Sequence, residues 1–170
     1  MKRQQIAFAF VLTYLWVAMI LLGAIVFDTF IVYPNVFNDV PRSLEIAMAF
    51  ASARGPGDFF PPVGNLAILT GIGALILGWR VNSARYWILA SVIVIVAEGL
   101  LSIAFFWPRN TILFEEGITV HSVAHLQQTA REFEVGHWLR LAMSAAAAAF
   151  SFMGFLTFYR HRIMSQDASR

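Results

Sequence analysis

Four apolar stretches of about twenty residues each limit what this chain can become. They cover roughly residues 6–31, 63–79, 86–107 and 137–159. Crossing roughly 30 Å of hydrocarbon at about 1.5 Å per residue takes about 20 mostly apolar residues, so each stretch is long enough to span a bilayer. Lipid offers no partner to a bare backbone N–H or C=O, and each span must therefore be helical. The sequence thus predicts an all-α integral membrane four-helix bundle, a single transmembrane domain over residues 1–170. Composition agrees, since 59% of the residues are apolar and only 13% are charged, about half the charged share of an ordinary soluble chain. Met1, Lys2 and Arg3 precede the first stretch as they would in a secretory leader. The apolar run is too long for one and no small-residue cleavage site follows, so it is read as a span.

Charge sets the expected orientation. Lys2, Arg3, Arg80, Arg85, Arg160, Arg162 and Arg170 fall on one side of the spans, and Arg42, Arg54, Arg109 and Arg131 on the other. Basic residues collect on the cytoplasmic side. Both termini and the turn over 80–85 are then inside, and two long excursions, about 33–62 and 108–136, lie outside. The chain is expected as a multi-pass protein of a cell membrane, the inner membrane for a bacterial source. Its partners are the lipid bilayer, a hydrophobic small molecule and, for a self-associating bundle, a second copy. The formal charge of +2 is too small to argue for nucleic acid. With no cysteine in the chain, thiolate chemistry and cysteine-ligated metal are excluded.

The two excursions read as copies of one another. Tyr33-Pro34-Asn35 closes the first span and Trp107-Pro108-Arg109-Asn110 the third. Pro62-Val63-Gly64-Asn65 opens the second and Glu134-Val135-Gly136-His137 the fourth, which makes Asn65 and His137 equivalent positions. The prolines are expected to end the helices before them. Between these anchors, Leu44, Ala47, Met48 and Ala51 in one excursion, and Val123, Leu126, Ala130 and Phe133 in the other, recur at helical spacing. Each excursion is therefore expected to carry an amphipathic helix over the bundle mouth, a possible lid.

An ionisable group within a span is costly and is a functional candidate by default. Asp28, Glu98, His137 and Arg140 qualify, with Asn65, Ser102 and Asn110 at comparable depth. At about 1.5 Å per residue, Glu98 lies about 13 Å below Trp107 and Arg140 about 6 Å below Gly136, a gap an extended arginine bridges. These two residues read either as a structural ion pair or as a proton-handling carboxylate with its counter-charge. His121 and His125 have the i, i+4 spacing that puts two imidazoles on one helix face. With His137 they form the candidate metal set, for copper, zinc or iron; the other reading makes them polar-face residues. Glu134-x-x-His137 has the spacing of carboxylate-bridged di-iron helices, but Pro62 stands where the second copy would need its glutamate.

The Trp107, Pro108, Asn110 motif after span three, the long excursion, and the His137-Trp138-x-Arg140 opening of span four resemble the anthrone oxygenase-like family of small four-span membrane proteins. The resemblance covers about residues 12–159. It implies oxidation of a tricyclic anthrone to a quinone by dioxygen without a tightly bound cofactor. On the matching positions, His137 is expected to act as base, and Arg140 and Asn110 to stabilise the resulting anion, with Glu98 on the floor of the pocket. Trp138, Trp107, Phe105 and Phe106 would supply an aromatic pocket between spans three and four, with Asn65 and Asp28 at its edge. The competing expectation is a non-catalytic module, a transporter subunit or partner-binding bundle, whose polar cluster only fixes helix packing.

Overall fold

The computed structural model describes the backbone of residues 2–167 and the side chains of residues 3–165; Lys2 and Arg170, used above for orientation, lie outside the described side chains. Helices account for nearly all of it: α1 (Arg3–Val36), the short α2 (Arg42–Phe50), α3 (Pro56–Gly78), α4 (Asn82–Val120) and α5 (Val123–Asp167). The four long ones are each apolar and long enough to cross a membrane. They stand in a ring in chain order, α1 against α3, α3 against α4, α4 against α5, and α5 back against α1. Phe8 packs on Phe155 and Tyr159 at 6.0 and 6.3 Å, while Thr29 meets His137. The first and last helices are therefore antiparallel, and both ends of the described chain lie at one end of the bundle, called proximal here; the opposite end is distal.

Length decides what the distal end looks like. With 23 residues α3 is about 35 Å long, one bilayer, whereas the 39 residues of α4 and 45 of α5 make rods of about 58 and 68 Å. The bundle therefore has two cores. In the first, Tyr14, Val17 and Leu21 of α1 meet Ala67 and Ala74 of α3, Ile88, Val92 and Ile95 of α4, and Ala147 and Phe158 of α5. The helices come close because small residues line them: a Cβ on Gly71 would lie 2.8 Å from Val92 and 2.9 Å from Tyr14. Tyr14 donates to Ser91 at 2.7 Å, and Ser91 donates to the Ala147 carbonyl at 2.7 Å, so every proton in this interior chain has an acceptor. The second core is distal and gathers Tyr33, Leu44, Phe106, Leu113, Leu126, Ala130 and Phe133 from α1, α2, α4 and α5, with Val40 from the turn between α1 and α2. Around the first core large apolar side chains face outward, among them Trp16, Leu69, Ile76, Ile93, Leu100 and Leu139. Such a surface suits acyl chains, not water.

Two expectations are corrected. Pro34 and Pro108 do not end their helices. A proline lacks its N–H and presses on the carbonyl four residues back, here Phe30 and Ala104. Both carbonyls fall inside five-residue π-helical turns, Asp28–Val32 and Ser102–Phe106. There the wider pairing, Tyr33 N–H to the Asp28 carbonyl and Trp107 N–H to the Ser102 carbonyl, has already shifted the ladder. The helix continues past each proline, to Val36 in α1 and, through a third π turn at Thr111–Glu116, to Val120 in α4. Where that third turn ends, Gly117 has φ +55°, a conformation side chains resist. The second correction concerns the lid. Residues 123–136 form no separate loop helix but the first four turns of α5. Only the first excursion carries an independent short helix, α2. The second span also starts earlier than expected, at Pro56, where the Asp58 carboxylate accepts the Gly55 N–H at 2.8 Å.

Candidate functional site

The four ionisable span candidates, Asp28, Glu98, His137 and Arg140, gather where the two cores meet. On α5, Phe133, His137, Arg140, Ser144 and Ala147 recur at intervals of four, three, four and three, which lays them on one inward stripe. The first π turn of α1 supplies Asp28 and Thr29, both buried, and Tyr33 follows it. Glu98 stands on α4 one turn before the second π segment, and Phe106 closes that segment.

Glu98 is held at both oxygens. Oε1 faces Arg140 Nε at 3.4 Å and Oε2 accepts from the Ser144 hydroxyl at 2.8 Å. The Arg140 guanidinium lies over the rings of Phe60 and Phe106, 4.7 and 5.4 Å from their centroids. Asp28 has no cation at ion-pairing distance among the described residues, and its Oδ2 is buried without a hydrogen-bond partner.

His137 is 1% exposed and packed among Tyr33, Phe106 and Phe133, with ring centroids 4.5, 5.8 and 6.0 Å away. Its protonation pattern follows from the single proton of a threonine hydroxyl. Thr29 Oγ1 donates that proton to the Ile25 carbonyl at 2.6 Å, so the 2.9 Å contact between Oγ1 and His137 Nδ1 requires Nδ1–H to be the donor. In the neutral ring, the Nε2 lone pair is then free. Nε2 is buried and has no partner. A buried acceptor without a donor costs roughly 1–3 kcal/mol, so a fixed orphan of this kind calls for an explanation.

Beside it lies an open hollow of about 390 Å³ lined by Thr29, Tyr33, Pro34, Arg131, Glu134, Val135, His137 and Trp138. It sits in the seam between α1 and α5, not between the third and fourth spans as expected. Glu98 and Arg140 are behind it and do not line it. Trp138 is 54% exposed and stands at the rim, edge-on to Phe30 with centroids 5.4 Å apart; Trp107 is 51% exposed. Neither forms an enclosed aromatic slot with Phe106, which is buried in the distal core, or with half-buried Phe105. Asn65 is exposed on α3, and half-buried Asn110 makes no side-chain hydrogen bond among the described residues. These two stay outside the cluster.

The three-histidine metal set is not assembled. His137 follows His125 by twelve residues of one continuous helix, about 18 Å, which holds the two apart. His121 Nε2 instead meets Glu116 at 2.5 Å, with the His125 ring 5.0 Å from its own. Among the described residues no three of His, Asp and Glu converge as metal ligands. Thr29, Tyr33 and Ser144 complete the cluster although the sequence did not mark them as candidates. The spacing from Phe133 to Ser144 was the available signal for the last of these.

No protein-family model, curated protein or solved structure matches this chain.

Proposed function

We propose that the chain is a membrane oxidoreductase in which His137 removes a proton from a hydrophobic ligand and the resulting carbanion is oxidised by dioxygen. For a ring methylene flanked by aromatic rings, Nε2 takes one C–H proton. The anion passes electrons to O2 and forms a C–O bond; the peroxide anion takes the proton back from His137, and the resulting hydroperoxide loses water to leave a ketone. One O2 and one CH2 become one C=O and one H2O. The observation that carries this reading is the buried, unpartnered Nε2 of His137, fixed in orientation by Thr29. A base must present its lone pair toward the proton it takes. Arg140, one helical turn after His137 on α5, keeps a positive charge behind the histidine. The hollow opens at the α1–α5 seam, so the ligand arrives from the bilayer. The resemblance to anthrone oxygenases agrees with this chemistry.

The reading includes a topology with both termini cytoplasmic and the distal end outside, supported by the distribution of arginines. It also includes an internal duplication, supported by matched features in α1 and α4: a five-residue π turn, then an aromatic residue and proline.

Purified protein in detergent, given anthrone as probe, is expected to consume oxygen above the uncatalysed rate. His137→Ala should lower kcat by about 10²–10⁴ while the purified protein remains folded. Turnover that survives the substitution would refute the assignment. A second reading, a structural polar cluster in a non-catalytic bundle, is favoured by Glu98, whose two oxygens are both engaged within the protein. It predicts no oxygen consumption and a loss of stability on every polar substitution.

A further inference from the structure

A second hollow, about 320 Å³, adjoins the histidine pocket and shares Arg131 and Glu134 with it. Where the first is walled by Tyr33, Pro34, Val135 and Trp138, the second presents Asn38, Asp39 and Gln127 beside the two shared charges. One cation and two carboxylates thus line one space. Yet none of the three has an ion pair or a side-chain hydrogen bond among the described residues, whereas Arg109 and Arg140 hold their carboxylates at 2.7 and 3.4 Å. Residues 37–40 follow the apolar stretch of α1 within about 10 Å, the depth of lipid headgroups if the spans sit as their hydropathy requires.

We propose that this hollow binds the head of a membrane lipid that carries both a phosphate and a primary ammonium, a phosphoethanolamine head. The phosphate pairs with Arg131, and the ammonium lies between Asp39 and Glu134. A ligand of one sign would also meet a charge of its own sign in so small a space; a zwitterion satisfies both signs. A primary ammonium offers three N–H donors to two carboxylates and the Asn38 amide oxygen. A quaternary one has no donors and depends on open aromatic faces. Phe37, the aromatic of this hollow, is already stacked on Tyr33 with centroids 5.5 Å apart and planes 8° from parallel. The acyl chains then descend past Pro34 and Trp138, across the mouth of the histidine pocket. This site goes beyond the catalytic reading and does not depend on it.

The full chain in nanodiscs made from equal parts of phosphatidylethanolamine, phosphatidylcholine and phosphatidylglycerol provides the test, with co-purifying lipid counted by native mass spectrometry. Phosphatidylethanolamine should be enriched over phosphatidylcholine about fivefold. The double variant Asp39→Asn, Glu134→Gln should bring the two to parity, and Arg131→Gln should reduce the retention of both. Equal retention by the unsubstituted protein, or preference for phosphatidylglycerol, overturns the proposal. Asp39→Asn alone gives the same readout if the double variant melts early. His137→Ala leaves lipid selectivity intact, so failure of the catalytic reading is separable from failure of this one.

Discussion

Glu98 is where one side chain carries most consequence. Its two oxygens engage Arg140 and Ser144, and removing them strands a guanidinium in the interior. Glu98→Ala should therefore cost about 3–5 kcal/mol of stability, the range for breaking a buried charge pair from one side. Glu98→Gln, which keeps an acceptor for Ser144, should cost less. Unfolding in mixed micelles measures both, and equal losses would mean that the charge is unimportant. Asp28, Glu98, His137 and Arg140 were legible in the sequence because ionisable groups are rare in apolar stretches. Thr29, Tyr33 and Ser144 were not, because hydroxyls are ordinary in helices and their partners stand on other helices. Trp107 and Trp138 form no enclosed slot for a geometric reason. Consecutive residues on a helix point about 100° apart, so Trp138 next to inward His137, and Trp107 next to inward Phe106, turn toward the outside.

For the helices themselves, the existence of four spans followed from length and hydropathy, but their ends did not. Pro34 and Pro108 were expected as terminators, and a π turn before each removes the clash that makes proline one. Nor does Gly136 interrupt α5: a Cβ there would strike the Phe105 ring, so the glycine marks a close approach of α4 instead of a break. The same reasoning separates two other glycines. Gly71→Ala brings a Cβ to 2.8 Å from Val92 and 2.9 Å from Tyr14, and should destabilise by about 1–3 kcal/mol. Gly23→Ala meets nothing within 4 Å and should be neutral or stabilising by up to about 1 kcal/mol. Thermal denaturation of the two variants side by side decides it; the reverse order would contradict the packing of α3 against α1 and α4.

At the scale of the whole molecule, four spans in ring order leave both ends of the described chain at the same end. Because the chain has no cysteine of its own, introduced ones report sidedness without background. A membrane-impermeant maleimide added to intact cells should label Ser52→Cys and Ser122→Cys at the distal end, and leave Ser83→Cys in the proximal turn unlabelled until the cells are opened. The opposite pattern would invert the orientation drawn from the arginines.

The place of the histidine pocket in that ring has a consequence for how the protein is made. Thr29 and His137 are 108 residues apart in the chain, and the seam they close joins the first long helix to the last. Ribosomal synthesis delivers α1, α3 and α4 to the bilayer before α5 exists, and during that interval the flank of α1 that will carry the pocket is bare. The pocket cannot form until the first turns of α5 have been made and have docked on α1, so a product that stops before α5 lacks the pocket altogether.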